Sequence, residues 1–236
     1  MNDEIAVLMA AGLGTRMRPI TDRIPKPLVK VGGVPMIETV IGGLKKRGID
    51  ELYVVTGHLS DQFSYLEEKY PGLKTVRNSE YQTVNNISSI RAVTDILRGR
   101  NAFICEADLV VSDPALFSAV LDGSCYFGKY VPGHSDDWLF DTDENGRITR
   151  VGKVGDDRYN MCGISYFLKE DATILADCIE ERYEHPGYED LFWDDVVNDN
   201  LDRLCLTVHP VESGQITEID SLEELFEADS SCKELL

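Results

Sequence analysis

The sequence predicts an α/β fold built on a doubly wound sheet whose strands are mixed but mostly parallel. Short apolar runs that suit buried strands alternate with helical patterns through the first half of the chain. After Gly123 the pattern changes to several strands separated by turn signals. A glycine-rich loop follows the first apolar run, at the end of a parallel strand where open α/β sheets bind ligands.

The alternation over residues 1–122 predicts a parallel sheet covered by helices on both faces. The expected strands are 4–10, 52–56, 74–77 and 103–106, and the expected helices are 35–46, about 60–69 and about 85–97. Pro35 suits the first turn of the first helix, and Gly48 suits its carboxyl-terminal cap. Ser60 is a candidate cap for the second helix.

The remainder predicts antiparallel insertions that form a second lobe within one domain, 1–236. The expected strands are 125–131, 138–141, 148–153, 162–168 and 204–211, and the expected helices are 172–183, 193–201 and 222–228. Asn145-Gly146 is a strong hairpin signal between two of these strands.

Composition excludes several classes of protein. The chain of 236 residues carries 23 Lys and Arg against 42 Asp and Glu, a net charge of −19, so it repels nucleic acid and anionic lipid. No apolar run approaches the roughly 18 residues that span a bilayer, and the acidic start is unlike a secretory signal. Its six cysteines lack metal-site spacing, which favours reduced, mostly buried thiols. We expect a soluble cytoplasmic protein without a nucleic-acid or membrane partner.

The stretch 10–28, AAGLGTRMRPITDRIPKPL, is the most specific motif in the chain. Glycines allow close backbone approach to a ligand, while Arg16 and Lys26 can bind phosphate oxygens. We expect this loop to hold a nucleoside triphosphate and to support attack on its α-phosphate. Its nucleotide-binding residues would be Ala10, Ala11, Gly12, Gly14 and Thr15. The alternative is a structural turn with surface cations; the two other common glycine-rich phosphate motifs are not matched.

This stretch resembles the pattern GxGTRxxPxTxxxPKPL of nucleotidyltransferases related to the sugar-1-phosphate nucleotidylyltransferases. The resemblance implies a nucleotide-diphospho-sugar transferase-like fold and a nucleotidyltransferase domain. It also implies Mg²⁺-dependent attack of a phosphate monoester on a nucleoside triphosphate, with release of pyrophosphate. Arg16 and Lys26 match the catalytic cations of that family. On this basis residues 1–122 would bind the nucleotide, 123–215 the acceptor, and 216–236 would supply a metal ligand.

Two acidic segments are candidates for the metal site. Glu106-Ala107-Asp108 ends a predicted buried strand, and Glu218-Ile219-Asp220-Ser221 precedes the last helix. We hypothesise that Asp108 and Asp220 hold one Mg²⁺; the alternative is that Asp220 or Ser221 caps the helix. The family resemblance favours the metal. It also places Glu106 and Ala107 at the nucleotide, although Glu106 stands where relatives usually have Asp.

Amide and hydroxyl groups near the start of the third predicted helix can recognise a pyrimidine base. The candidates are Asn85, Asn86, Ser88 and Ser89, with Gln82 as a further one. Helix capping is the structural alternative for these residues.

Aromatic residues lie beside acids in two segments of the predicted acceptor lobe. Rings and carboxylates together can bind an alkylammonium group, whereas the structural alternative is an aromatic core with capping acids. The candidate acceptor-binding residues are Trp138, Lys153, Asp190, Phe192, Trp193 and Asp194. We expect Trp138 and Trp193 to face one cavity within reach of Asp108.

Over nearly its whole length the chain resembles the bacterial CTP:phosphocholine cytidylyltransferases. The matching segments are Asn85-Asn86, Gly163-Ile164-Ser165, Asp190-Leu191-Phe192-Trp193-Asp194 and Glu218-Ile219-Asp220-Ser221. The resemblance implies that Trp138, Asp190, Phe192 and Trp193 surround choline. Lys153 departs from that group, since a lysine here is typical of sugar-phosphate relatives, where it binds the acceptor's phosphate.

The sequence therefore predicts an enzyme that joins CTP to phosphocholine, giving CDP-choline and pyrophosphate with Mg²⁺ as cofactor. The partners would be CTP and a phosphorylated amino-alcohol or aminophosphonate. Aminoethylphosphonate, phosphoethanolamine and a sugar 1-phosphate stay open as acceptors, and a non-catalytic nucleotide sensor is the alternative of a different class.

Overall fold

The computed structural model of the protein describes residues 4–236. Residues 1–3, which contributed to the expectation on targeting, lie outside this range. The strands are β1 (Glu4–Ala10), β2 (Lys30–Val31), β3 (Val34–Pro35), β4 (Glu51–Thr56), β5 (Leu73–Arg77), β6 (Asn101–Glu106), β7 (Leu109–Val111), β8 (Cys125–Thr142), β9 (Ile148–Phe167), β10 (Thr207–Pro210) and β11 (Ile216–Glu218). The α-helices are α1 (Met36–Arg47), α2 (Tyr65–Lys69), α3 (Ile87–Arg91), α4 (Thr94–Leu97), α5 (Lys169–Tyr183), α6 (Trp193–Asp199) and α7 (Leu222–Ala228).

The central sheet has seven strands in the order β10-β8-β9-β6-β1-β4-β5. β1 is parallel to both β4 and β6, and β4 is parallel to β5. β9 is antiparallel to its neighbours β6 and β8, and β10 is parallel to β8. The predicted mixed and mostly parallel sheet is therefore confirmed.

Helices cover both faces of the sheet, as the residues of β1 illustrate. Ala6 and Leu8 belong to a core cluster that includes α1, whereas Ile5 and Val7 belong to a second cluster that includes α3, α5 and α6. Successive strand residues point to opposite faces, so each face of β1 has its own apolar core. All six cysteines are free thiols, and four of them are buried.

The acceptor lobe is built differently from the expected set of short strands. Four predicted strands merge into the long strands β8 and β9, whose pairing contains several bulges. Leu139 of β8 pairs with both Gly152 and Asn160, so the second half of β8 lies between two parts of β9. The hairpin at Asn145-Gly146 is present, with Gly146 at a φ of 80°. Bulges re-aim side chains, and here they bend the hairpin around one end of a cavity.

Two predicted helices are shorter than expected. The helix expected at 85–97 is divided into α3 and α4, and the one expected at 60–69 begins as a 3₁₀ turn, Ser60–Phe63. The Ser60 hydroxyl accepts a hydrogen bond from Arg77 and does not cap the helix.

A small antiparallel pair, β7 with β11, completes the frame of the site. Glu218 is opposite Leu109 in this pair, and the Ile219 amide donates to the Asp108 carbonyl at 3.3 Å. The pairing places two acidic segments that are far apart in sequence side by side. Within residues 4–236, no helix combines the length and the apolar composition needed to cross a membrane.

Two adjacent glycines of α1 provide a test of the packing. A Cβ at buried Gly43 would lie 2.3 Å from the Phe117 ring, while a Cβ at exposed Gly42 would meet no described atom within 4 Å. We expect Gly43→Ala to reduce the free energy of unfolding by about 1–3 kcal/mol through overpacking. Gly42→Ala should increase it by about 0.5–1 kcal/mol because alanine favours the helix. Urea unfolding measures both, and equal effects would contradict this packing.

Candidate active site

A cavity of about 660 Å³ opens at the carboxyl ends of β1 and β6. One end is lined by residues of the glycine-rich loop and by carboxylates: Ala10, Ala11, Gly12, Gly14, Thr15, Arg16, Lys26, Glu106, Asp108, Glu218 and Asp220. The other end, named the acceptor end after the role predicted for its residues, is lined by Asp136, Asp137, Trp138, Lys153, Phe192 and Asp194. A single cavity of this size can hold two substrates side by side.

The glycine-rich loop is folded tightly enough to require glycine at position 14. Gly14 has a φ of 61°, and a Cβ there would lie 2.9 Å from Thr21 and 3.1 Å from Lys26. The Thr21 hydroxyl donates to the Gly14 carbonyl at 2.8 Å. This close approach brings Lys26, sixteen residues from Ala10 in sequence, against the same loop.

Lys26 is the centre of an ion-pair network. Its ammonium group, on a residue only 9 % exposed, donates to both Asp108 and Asp220. Arg16 also pairs with Asp220 at 2.8 Å. Burial lowers the pKa of Lys26, but Asp108 and Asp220 raise it by more, so the group stays charged. The two predicted cations and the two predicted metal ligands therefore lie in direct contact.

A cluster of carboxylates surrounds this network. Oxygen atoms of Glu106, Asp108 and Glu218 lie within 4.8 Å of one another. Desolvation, followed by the negative charges of Asp108 and Asp220, raises the pKa of Glu218 to about 8. Desolvation and Asp108 also raise the pKa of Glu106. Because a divalent cation would relieve this repulsion and prefers carboxylate oxygens, the donor set fits Mg²⁺. Glu218 was not predicted as a ligand, although it lies two residues before Asp220.

The helix-capping alternative for this segment applies to Ser221. Its hydroxyl accepts from the Glu224 amide at 3.2 Å, and the Glu224 carboxylate accepts from the amides of Asp220 and Ser221. The capping box leaves the Asp220 carboxylate directed at Lys26 and Arg16.

Only some of the residues expected to bind the pyrimidine base line the cavity. Asn86 and Ser89 line it. Asn86 also accepts from the Trp193 amide at 2.9 Å.

Four other predicted nucleotide-binding residues lie outside the cavity lining. Ser88 is 2 % exposed and donates to the Asn85 carbonyl at 2.7 Å, and Ala107 is fully buried. Asn85 donates its amide to the Asp190 carbonyl at 3.1 Å, while exposed Gln82 donates to the Tyr81 hydroxyl. Local hydrogen bonds and core packing thus account for these residues, and the side chain of Asn86, the N-cap residue of α3, makes no capping hydrogen bond.

An aromatic pair and a lysine form the wall of the acceptor end. The rings of Trp138 and Phe192 meet edge to face with centroids 5.5 Å apart. The Lys153 ammonium lies 5.1 Å from the Trp138 centroid and 5.2 Å from that of Phe192. These distances are typical of cation–π contacts.

The expectation that Trp138 and Trp193 face one cavity is wrong. Trp193 is 3 % exposed and stacks on Tyr126 with centroids 5.7 Å apart. It packs against α5 and β9 in the second core cluster, because the first residue of α6 points toward the sheet. The exposed carboxylate of Asp190 also lies outside the residues that line the cavity.

Asp194 lies at the floor of the acceptor end. It is 2 % exposed and accepts a hydrogen bond from the Tyr126 hydroxyl at 3.0 Å. Burial raises its pKa to about 7, although the Tyr126 hydrogen bond opposes the shift. A buried carboxylate whose pKa is raised this far is typical of functional sites.

Comparison with known proteins identifies the family. Residues 6–148 match the family model described as a MobA-like NTP transferase domain. The chain belongs to this family. As a MobA-like NTP transferase it is an enzyme, a nucleotidyltransferase, and the predicted reaction class is confirmed.

Two curated relatives match over almost their whole length. The chain is 53 % identical over 220 residues to the 2-aminoethylphosphonate cytidylyltransferase of Lancefieldella rimae, covering 93 % of this chain and 89 % of the relative. It is 33 % identical to the choline-phosphate cytidylyltransferase of Streptococcus pneumoniae, covering 93 % and 94 %. The solved structure of the CTP:phosphocholine cytidylyltransferase from that species superposes with a TM-score of 0.88 at 30 % identity, covering 97 % of this chain and 98 % of the other.

Asp194 makes the stability of this NTP transferase depend on pH. Between the unfolded pKa near 4 and the folded pKa of about 7, the folded state binds the extra proton. The stabilisation that comes from protonated Asp194 is therefore greatest below about pH 4 and is lost as pH rises through 7. We therefore compare the free energy of unfolding of Asp194→Asn with that of wild type. The difference should shift in favour of Asp194→Asn by about 1–3 kcal/mol from pH 5 to pH 8.

Urea unfolding at the two pH values measures this gain. Asp190→Asn, at an exposed position, is the control and should show no such dependence. A constant difference between Asp194→Asn and wild type would contradict the raised pKa.

Proposed function

We propose that this NTP transferase is a Mg²⁺-dependent cytidylyltransferase that joins CTP to 2-aminoethylphosphonate and releases pyrophosphate. In this proposal residues 1–122 bind the nucleotide, 123–215 bind the acceptor, and 216–236 complete the carboxylate cluster. The observation that carries the choice of acceptor is Lys153, whose ammonium lies over the Trp138–Phe192 pair.

Lys153 argues against a choline site in this position. A trimethylammonium group would bind the faces of Trp138 and Phe192, and the protein's own cation already occupies both. A second cation there would be repelled. A phosphonate dianion is attracted to the same lysine, so Lys153 is the proposed ligand of the acceptor's phosphonate.

The carboxylates at the acceptor end can bind the ammonium group of 2-aminoethylphosphonate. A primary ammonium group has three N–H donors, each of which needs an acceptor when it leaves water. Asp136, Asp137 and Asp194 all line the acceptor end and can supply those acceptors. A quaternary ammonium group has no N–H, so it gains less from such a set.

The proposed reaction needs positioning more than proton transfer. A phosphonate oxygen, already ionised near neutral pH, attacks the α-phosphorus of CTP; the new P–O bond forms as the bond to the bridging oxygen of pyrophosphate breaks. Arg16 and Lys26 stabilise the charge that develops on the phosphates. Mg²⁺ held by Asp108 and Asp220, with Glu106 and Glu218 beside them, would supply charge neutralisation at the triphosphate.

Phosphocholine is the second candidate acceptor. The Trp138–Phe192 pair favours it, since aromatic faces bind quaternary ammonium groups, as do the relatives that carry that activity in their names. A non-catalytic sensor is disfavoured, because a pure binder of nucleotide has no need of the full set of cations and carboxylates.

A panel of acceptors tests the proposal. The protein is incubated with Mg²⁺, CTP and either 2-aminoethylphosphonate, phosphoethanolamine, phosphocholine or glucose 1-phosphate, and pyrophosphate is measured. We expect the highest kcat/KM with 2-aminoethylphosphonate. A higher kcat/KM with phosphocholine would refute the choice of acceptor, and no release with CTP and any of these acceptors would refute the cytidylyltransferase.

Lys153 has its own test. Lys153→Ala should lower kcat/KM for 2-aminoethylphosphonate by about 10- to 100-fold, the loss of one charge-assisted hydrogen bond, without changing KM for CTP. Lys169→Ala, an exposed lysine on α5, is the control. Equal kinetics for the two variants would contradict the role of Lys153.

Asp108 tests the metal hypothesis. Asp108→Asn keeps the shape of the side chain but removes a charged ligand, so Mg²⁺-dependent turnover should fall by about 10²- to 10³-fold. Asp202→Asn, at an exposed position outside the cavity, should stay near wild type. Near-normal turnover of Asp108→Asn at every Mg²⁺ concentration would exclude Asp108 as a ligand.

A further inference from the structure

Lys153 lies at the start of a bend, residues 153–157, whose backbone is unusual. Val154 has a φ of 66° and Asp157 a φ of 55°. A β-branched residue rarely adopts the left-handed region, and such conformations persist only where surrounding contacts enforce them. The bend is also the part of β9 that carries Lys153 toward the Trp138–Phe192 pair.

Two arginines hold the carbonyl groups of this bend. Arg150 donates to the Lys153 carbonyl at 3.1 Å and to the Val154 carbonyl at 3.2 Å. Arg158 donates to the Asp156 carbonyl at 3.1 Å and to the Asp157 carbonyl at 3.2 Å.

Asp141 of β8 holds both arginines. One carboxylate oxygen accepts from Nε of Arg150 and the other from Nε of Arg158, each at 2.6 Å. The hydrogen bonds from Arg150, then those from Arg158, lower the pKa of Asp141, which keeps it ionised. We name Asp141, Arg150 and Arg158 the Asp141 clamp.

The clamp is poorly placed to act only through stability. Its side chains are 32 %, 39 % and 46 % exposed, and ion pairs at such positions contribute little to folding because solvent screens them. In the described part of the chain none of the three lines the cavity, so they do not touch an acceptor directly.

We propose that the Asp141 clamp is a positioning device for the acceptor site: by fixing the Lys153 and Val154 carbonyls, on either side of the Val154 Cα, it aims the Lys153 side chain at the Trp138–Phe192 pair. The inference rests on the proposed function for the role of Lys153 in binding the acceptor. Because Asp141 acts through Arg150, its loss releases Lys153 without replacing any residue that lines the cavity.

Gly152 offers a way to disturb the clamp without changing charge. A Cβ at this position would lie 2.7 Å from Nη1 of Arg150. Since the clashing atom is the far end of a flexible side chain, the guanidinium moves and its hydrogen bonds are lost.

Steady-state kinetics test the proposal with Asp141→Asn, Arg150→Gln and Gly152→Ala. We expect KM for the acceptor to rise about 5- to 50-fold, while kcat and KM for CTP stay within about twofold. The controls are Asp177→Asn and Arg98→Gln, which break the ion pair between α5 and the residue after α4, and Gly123→Ala, where a Cβ meets no described atom within 4 Å. All controls should match wild type. If kcat falls and KM for CTP rises as much as KM for the acceptor, the variants disturb the whole fold, and the proposal is overturned.

Tryptophan fluorescence gives a readout that does not depend on turnover. The chain has two tryptophans, so Trp193→Phe leaves Trp138 as the single emitter beside Lys153. In that background, Asp141→Asn and Gly152→Ala should change the Trp138 emission in the same direction as Lys153→Ala. Unchanged emission in both would overturn the clamp. If the emission responds but Lys153→Ala leaves acceptor KM unchanged, the clamp stands and the proposed role of Lys153 fails.

Discussion

The contact of Lys26 with Asp108 and Asp220 is the interaction on which the site depends. The three residues come from the loop after β1, the link between β6 and β7, and the segment between β11 and α7. A buried ammonium group is costly unless it is paired, and here the two carboxylates come together only because β11 pairs with β7. The tight turn at Gly14 also contributes to this contact, since it brings Lys26 back against the start of its own loop.

The charge of the whole protein makes this local arrangement necessary. A chain with a net charge of −19 repels a triphosphate and a phosphonate alike, so local cations are needed to bind either one. In the proposed function, Arg16 and Lys26, which both pair with Asp220, bind the triphosphate. Lys153, which lies over Trp138 and Phe192, binds the phosphonate. The oxygens that pair with Lys26 also fit a divalent cation, so the ammonium group and a metal ion compete for them. When a metal ion takes these oxygens, the phosphates of a nucleotide are the alternative partner of the Lys26 ammonium group.

Much of the donor half could be predicted from sequence because its signals are local. The apolar runs of β1, β4 and β6 and the glycine-rich loop each lie within a few residues, and their order defines the parallel sheet. The acceptor half depends on long-range pairing: bulges merge four strands into two, and three-residue β7 and β11 are too short to give a pattern. Trp193 shows a further limit, since an aromatic residue at a helix start suits a ligand site and a core equally. Glu218 could not be predicted as a neighbour of Asp108, because only the pairing register of β7 with β11 brings the two residues together.

A crystal structure with Mg²⁺ and the anhydride of CMP with 2-aminoethylphosphonate would test the central claim that one cavity joins the two substrates. We expect the cytosine near Asn86 and Ser89, the phosphate of CMP near Lys26, and the aminoethyl group among Asp136, Asp137 and Asp194. We also expect Lys153 to contact the phosphonate. An aminoethyl group directed to another surface, or cytosine at the Trp138–Phe192 pair, would contradict the account.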